Sequence, residues 1–209
     1  MPAWVTHLVM GNKISDRLNI TDKNSFLFGN VVPDILNGYI VKEISIHEKY
    51  EMTHFTESDV INCVKCKMPN PDKFLSLYKD RMDNMVILGA YVHLLTDYYW
   101  NKISYEKFFR QEGELVKLKF NDGTTKKYEY NDAIKVKQED FKIFTYYLKK
   151  SYKLERVFYT DKFLDINSKI SEIPLTKQDV VNAISAIDNY IDIKEQIDNN
   201  YRLFKENEI

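Results

Sequence analysis

Met85-Val-Ile-Leu-Gly-Ala-Tyr-Val-His-Leu-Leu-Thr-Asp-Tyr-Tyr-Trp-Asn-Lys-Ile103 is apolar over most of its length and contains no proline. Its unbroken apolar part, Met85 to Val92, is far short of the roughly 20 residues that a membrane span needs. A run of this kind reads as a helix buried in a core, from about Asp83 to Ile103. The small residues Gly89 and Ala90 leave room for a second helix to come close. His93 and Asp97 are four apart, so they share one helix face, with β-carbons about 5–6 Å apart. That spacing suits two ligands of one metal, and it equally suits a buried His–Asp hydrogen bond. In either case a carboxylate in apolar surroundings needs a partner.

The rest of the chain arranges itself around this helix. Pro2 is suited to open a first helix, and Trp4, Leu8, Gly11, Ile14 and Leu18 follow at helical spacing, with His7 on the same inward stripe. A short helical run, Ser25 to Asn30, ends before Val32-Pro33, which places Asp34 just past a break. Asn37-Gly38 marks a turn, and residues 40–55 read as loop-rich. Pro71 opens a helix to about Arg81. Beyond residue 103 the period changes. Leu115 to Phe120 and Lys127 to Tyr130 alternate on both sides of Asn121-Asp122-Gly123, a hairpin signal placing a β-hairpin at about 114–130. Helices are expected near Gln138–Leu154 and Lys177–Phe204, the last capped by Thr176 with Asp179 three residues on. The expected fold is mainly α: one helical domain over residues 1–209 with an inserted hairpin.

Composition narrows the function. With 209 residues, 44% of them hydrophobic and 29% charged, the chain has the balance of an ordinary globular domain. Thirty basic residues against 31 acidic ones argue against a dedicated nucleic-acid binder, which carries a basic surplus. The start of the chain lacks a basic leader followed by an apolar run, so a cytoplasmic location is expected. Two cysteines, Cys63 and Cys66, make one C-x-x-C; a structural zinc site would want a second pair, so reduced thiols are expected.

The chemistry rests on histidines and carboxylates. His7, His54 and His93, three of the four histidines, lie in apolar settings on separate segments, as do Asp34 and Asp97. Nitrogen and oxygen ligands of this mix suit zinc, and also iron or manganese. One metal would take Asp34, His54, His93 and Asp97; a second would take His7 and share Asp97. Two metals held this way activate water and brace both oxygens of a phosphoester displacement. His47 is the substitute should His54 lie elsewhere. Glu106 and Glu112 follow the metal helix as candidate outer carboxylates. Tyr98-Tyr99-Trp100 reads either as a substrate wall or, more simply, as packing.

The order of these residues resembles a known family. Trp near the start, then His7, Gly-x-x-x-Pro-Asp34, Thr-His54-Phe and His93-x-x-x-Asp97 follow the order seen in the zinc-dependent phospholipase C family, which is related in fold to the single-strand-specific zinc nucleases. The resemblance covers roughly residues 1–103. It implies a helical fold that hydrolyses phosphoesters at a zinc cluster. It also implies that Asp34, His54 and His93 bind one zinc, that Asp97 bridges to a second, and that His7 binds that second zinc. Asp34 takes a further, catalytic role as a base in this comparison. Two departures stand out. Secreted members bind metal through a processed N-terminal tryptophan, whereas Trp4 is internal. Members with three zincs carry a histidine six residues after the bridging aspartate, where this chain has Ile103, so one or two ions are expected.

The function expected is a metal-dependent phosphoester hydrolase. Its substrate would be a small phosphoester or a phospholipid, although no basic amphipathic helix for an anionic membrane is evident. Two alternatives remain open. A His-Asp-type phosphohydrolase needs an adjacent His-Asp pair, but the residues after the four histidines are Leu8, Glu48, Phe55 and Leu94. A non-catalytic metal-binding or interaction protein would keep the ligands as a staple.

Overall fold

The computed structural model describes residues 4–168, 170–192 and 202–203. Helices α1 (Trp4–Leu18), α2 (Lys23–Gly29), α3 (Val32–Ile35) and α4 (Tyr50–Thr53) lead to a hairpin of β1 (Glu57–Ile61) and β2 (Val64–Met68). Then come α5 (Pro71–Tyr78), a 3₁₀ turn at Lys79–Arg81, and α6 (Met85–Phe108). A three-stranded antiparallel sheet follows, of β3 (Phe109–Glu112), β4 (Leu115–Lys119) and β5 (Thr125–Tyr128), in the order β3-β4-β5. It is succeeded by α7 (Tyr130–Ser151), a 3₁₀ segment at Asp161–Ser168, and α8 (Lys177–Asp192). The molecule is mainly α, as its sequence indicates. Among the described residues no helix is long and apolar enough to cross a membrane.

The central helix is α6. It starts at Asn84, whose side chain accepts hydrogen bonds from the N–H groups of Val86 and Ile87 and so satisfies donors that a helix start leaves free. It runs a full turn beyond Ile103, to Phe108. The room expected at Gly89 is used by α2. A β-carbon on Gly89 would stand 2.2 Å from the Phe26 carbonyl oxygen, and one on Gly29 would stand 2.3 Å from that of Val86. Backbone therefore meets backbone at this crossing, and only glycine fits on either side. The main core gathers here, with Trp4, Leu8, Leu27, Phe28, Ile35, Ile87, Leu94, Val180 and Ile187 all buried.

A second apolar cluster lies under the sheet, where Val116 and Leu118 pack with Tyr105, Phe108 and Phe109 and with Ala133 and Val136 of α7. The hairpin expected near 114–130 is thus the β4–β5 part of a larger sheet that covers the far end of α6. The β1–β2 hairpin was not expected. Its register, Ile61 opposite Val64, leaves a two-residue turn at Asn62-Cys63, both with positive φ (50° and 64°). That is the geometry of a type I′ turn, which twists with the strands. The Asn62 amide donates to the carbonyls of Tyr105, Glu106 and Phe109, closing the C-terminal end of α6. Cys63 and Cys66 are both free thiols, the first exposed and the second buried.

The helix expected near Gln138 begins earlier, at Tyr130, because Ala133 and Val136 are needed to cover the sheet. The cap expected for the last helix is present. Asp179 N–H donates to Thr176 Oγ1, and the Asp179 carboxylate accepts from Thr176 N–H at 2.8 Å. The same carboxylate accepts from the N–H and hydroxyl of Ser45, at 2.7 and 2.6 Å, which straps the loop after α3 to α8. That helix is described to Asp192; residues 193–201 of the expected continuation to Phe204, like Pro2 with its opening role, lie outside the described residues. Arg202 and Leu203 form a bend whose N–H groups donate to the Asp140 carboxylate, so the expected helix does not include them.

Candidate metal centre

Four segments deliver five polar side chains to one place. α1 supplies His7, and α3 supplies Asp34, which sits inside this short helix and not in a loop. His54 is the C-cap of α4, and α6 supplies His93 and Asp97. All five have 0% exposure. Burial of this much polar surface is costly unless the groups satisfy each other or hold an ion.

The distances suit an ion. His54 Nε2 lies 3.1 Å from His93 Nε2, 3.5 Å from Asp34 Oδ1 and 3.4 Å from Asp97 Oδ2. His93 Nε2 lies 3.8 Å from Asp97 Oδ2 and 4.0 Å from Asp34 Oδ2. Ligands at zinc distances on a tetrahedron stand about 3.3 Å from one another. These edges are close to that figure, slightly expanded on the His93 side. On the other side, His7 Nε2 stands 3.3 Å from Asp97 Oδ1, off the hydrogen-bond axis, so neither atom has a hydrogen-bond partner. Two buried, unsatisfied atoms facing one another could hold a second cation, with Asp97 shared between the two. Ligand atoms of His7, Asp34 and His93, and of His54, His93 and Asp97, fall within 4.8 Å of one another in each group.

The surroundings prepare each ligand. His93 Nδ1 is 2.8 Å from the Asn30 carbonyl, which can only accept, so Nδ1 carries the proton. Burial, and then the nearness of His7, push the His93 imidazole down to about 3, so it stays neutral and its bare Nε2 faces the centre. The His7 ring stacks on it, centroids 3.8 Å apart. His54 Nε2 therefore donates to His93 Nε2, and a cation bound here would take the place of that proton. His54 Nδ1 is held by Thr53 Oγ1 at 2.9 Å. Burial works against a charge on His54, but the Asp34 and Asp97 carboxylates beside its Nε2 outweigh it and hold the imidazole above the ordinary range. Burial likewise opposes both carboxylates. The imidazoles packed around them outweigh it and hold Asp34 below the usual range and Asp97 well below it.

Sequence reading overlooked three groups that touch this centre. Trp4 Nε1 donates to Asp34 Oδ2 at 3.2 Å, the Asn37 amide donates to Asp34 Oδ1 at 3.0 Å, and the Tyr50 hydroxyl donates to Asp97 Oδ2 at 3.3 Å. Trp4 was legible as an apolar stripe residue and as the early tryptophan of the family order, Asn37 only as half of an Asn-Gly turn, and no motif marks Tyr50. Other candidates lie elsewhere. His47 is exposed and packs its ring against Gly38. Glu106 is exposed beside Lys102, and Glu112 pairs with Lys117 and Lys127. Trp100 stacks on Phe144 of α7 as packing. Tyr98 and Tyr99 line a groove of about 440 Å³ with Glu57, Asp59 and Asp72, on the side of α6 turned away from His93 and Asp97.

Comparison of the chain with family models, with curated proteins and with solved structures found no match.

Proposed function

We propose that this chain is a metal-dependent phosphoester hydrolase, built as its resemblance to the zinc-dependent phospholipase C family implies. The observation that carries the reading is the convergence of His7, Asp34, His54, His93 and Asp97 from four segments, with His54 and His93 Nε2 only 3.1 Å apart. Zinc fits the donor set, and iron and manganese fit it also. When bound, the metal supplies the Lewis acidity that activates water and offsets charge on phosphoryl oxygens. The chain's own residues prepare that chemistry. Asn30 and Thr53 fix the two imidazoles, and Trp4 and Asn37 occupy the two oxygens of Asp34. A carboxylate so tied, and held below its usual range, suits a permanent anionic ligand better than a proton acceptor. His7 and Asp97 are only two protein ligands, so the positions open to water and substrate belong to their side of the centre.

A second reading, a metal that only staples the fold, is favoured by one observation: none of the five ligands is exposed. The test separates the two. Purified protein is assayed for metal and for hydrolysis of chromogenic nitrophenyl phosphomonoesters and phosphodiesters. The hydrolase reading expects turnover that depends on metal and disappears in His93→Gln and Asp97→Asn while the variants stay folded. Bound metal without turnover on either class, or on phospholipid, supports the staple.

A further inference from the structure

Lys137 of α7 is a buried charge that the chemistry above does not use. It is 3% exposed, and its ammonium lies against the rings of Tyr105, Phe109 and Phe141. Its hydrogen bond, at 2.9 Å, goes to the Asn101 amide oxygen, a neutral acceptor, and among the described residues no carboxylate pairs with it. A buried ammonium without a counter-charge in contact is costly, and a methionine of similar length would fill the same space without that cost.

Asn101 shows where the compensating charge lies. His93, Asp97 and Asn101 stand four apart on α6, all buried, and form one polar stripe from the metal centre to Lys137. Side chains so spaced are neighbours, with β-carbons about 5–6 Å apart. The Asp97 carboxylate thus lies one helical turn from the group that holds the ammonium, and the two charges attract through the dry interior. The other titratable groups that face Lys137 do not supply an anion. Burial pushes up both the Tyr105 hydroxyl of α6, bonded to that of Tyr130, and the Cys66 thiol of β2, so both are neutral. On α7 itself, Asp140 gives both carboxylate oxygens to the N–H groups of Arg202 and Leu203.

We propose that Lys137 is a positioning residue of the metal centre: its ammonium is the counter-charge of Asp97 while the centre is empty, and it releases its proton to solvent when a divalent cation binds there. The proposal rests on the metal-dependent reading above and adds how pH regulates that site. Burial pushes the ammonium down to about 8. Below that value an arriving cation displaces the proton, and each pH unit below it weakens binding about tenfold; above it the amine is neutral and the cation is unopposed.

The test is a zinc titration of the full chain, against a chromophoric chelator, from pH 6.5 to pH 9.5. Lys137→Met keeps the length of the side chain and removes its charge. Loss of the like charge is expected to tighten zinc binding about tenfold at pH 7, with the gain gone at pH 9. A lysine that only supports the fold gives equal or weaker zinc binding in the variant at every pH, and either result overturns the proposal. A second measurement needs no variant. The side-chain carbon resonances of Lys137 in isotopically labelled wild-type protein are expected to titrate near pH 8 without zinc and below pH 7 with zinc bound; a midpoint that zinc leaves unmoved overturns the proposal. Wild-type protein that takes up no zinc refutes the metal centre itself and the role of Lys137 with it, whereas tight zinc binding indifferent to Lys137 refutes that role alone.

Discussion

Gly89→Ala tests how the helix crossing builds the centre. The added methyl would meet the Phe26 carbonyl oxygen at 2.2 Å and Gly29 Cα at 2.8 Å. Both are backbone atoms, so no rotamer change relieves the contact. To restore ordinary contact, α2 must retreat from α6 by about 1 Å. The strain reaches the site because Asn30, the C-cap of α2, accepts from His93 Nδ1 at 2.8 Å. Opening that bond to roughly 3.8 Å breaks it, as hydrogen bonds fail beyond about 3.5 Å. Overpacking costs about 1–3 kcal/mol and a buried broken bond about 1–3 kcal/mol more. The expected loss is therefore about 4 kcal/mol, a fall in Tm of roughly 8–16 °C for a chain of this size. Urea and thermal unfolding measure the loss, and zinc titration measures the accompanying drop in metal affinity. Gly29→Ala should do the same. The double variant should cost clearly less than the sum, since the first methyl has already parted the helices. A Gly89→Ala protein with unfolding curves and zinc affinity like wild type would refute this account of the crossing.

Three further predictions follow from the fold. Asn62→Gly keeps the positive φ of the β1–β2 turn but loses the bonds to three carbonyls at the end of α6, and is expected to cost about 1–2 kcal/mol in urea unfolding; Asn62→Ala should cost more, because alanine also resists that backbone. Asp179→Ala removes the acceptor for Ser45 and Thr176, so the strap between the loop and α8 should loosen by about 2–3 kcal/mol, with faster amide exchange at Ser45. Lys137 is buried, bonded to Asn101 and set among the rings of Tyr105, Phe109 and Phe141. Burial pushes its ammonium from 10.5 to about 8. Between those values the unfolded chain binds the proton that the folded chain releases, so the residue's stability contribution is gained as pH rises and lost as pH falls through 8. The unfolding free energy of wild type relative to Lys137→Met should rise by about 3 kcal/mol from pH 7 to pH 11, and a flat difference would contradict the burial.

The sequence made some of this legible and concealed the rest for physical reasons. α6 could be read because a long apolar run leaves few alternatives, and Gly89 because a small residue in such a run invites a close neighbour. The five ligand candidates could be read because histidine and aspartate are conspicuous in apolar surroundings. The hairpin at 57–68 was hidden by its turn. Asn-Cys is not a usual pair for a type I′ turn, and the value of Asn62 lies in distant carbonyls that no local pattern shows. β3 was hidden because it continues directly from α6, and the early start of α7 because it answers the sheet. Tyr50 and Asn37 lie in a loop-rich stretch whose course is set by tertiary bonds, Glu48 to Leu36 and Ser45 to Asp179.

The measurement closest to the central claim is anomalous X-ray scattering, collected at the metal edge from crystals of the chain purified with zinc. The account predicts one or two ions, the first among Asp34, His54, His93 and Asp97, and the second, where present, between His7 and Asp97. Difference density showing no ion among these five side chains, in protein exposed to zinc at neutral pH, would contradict it.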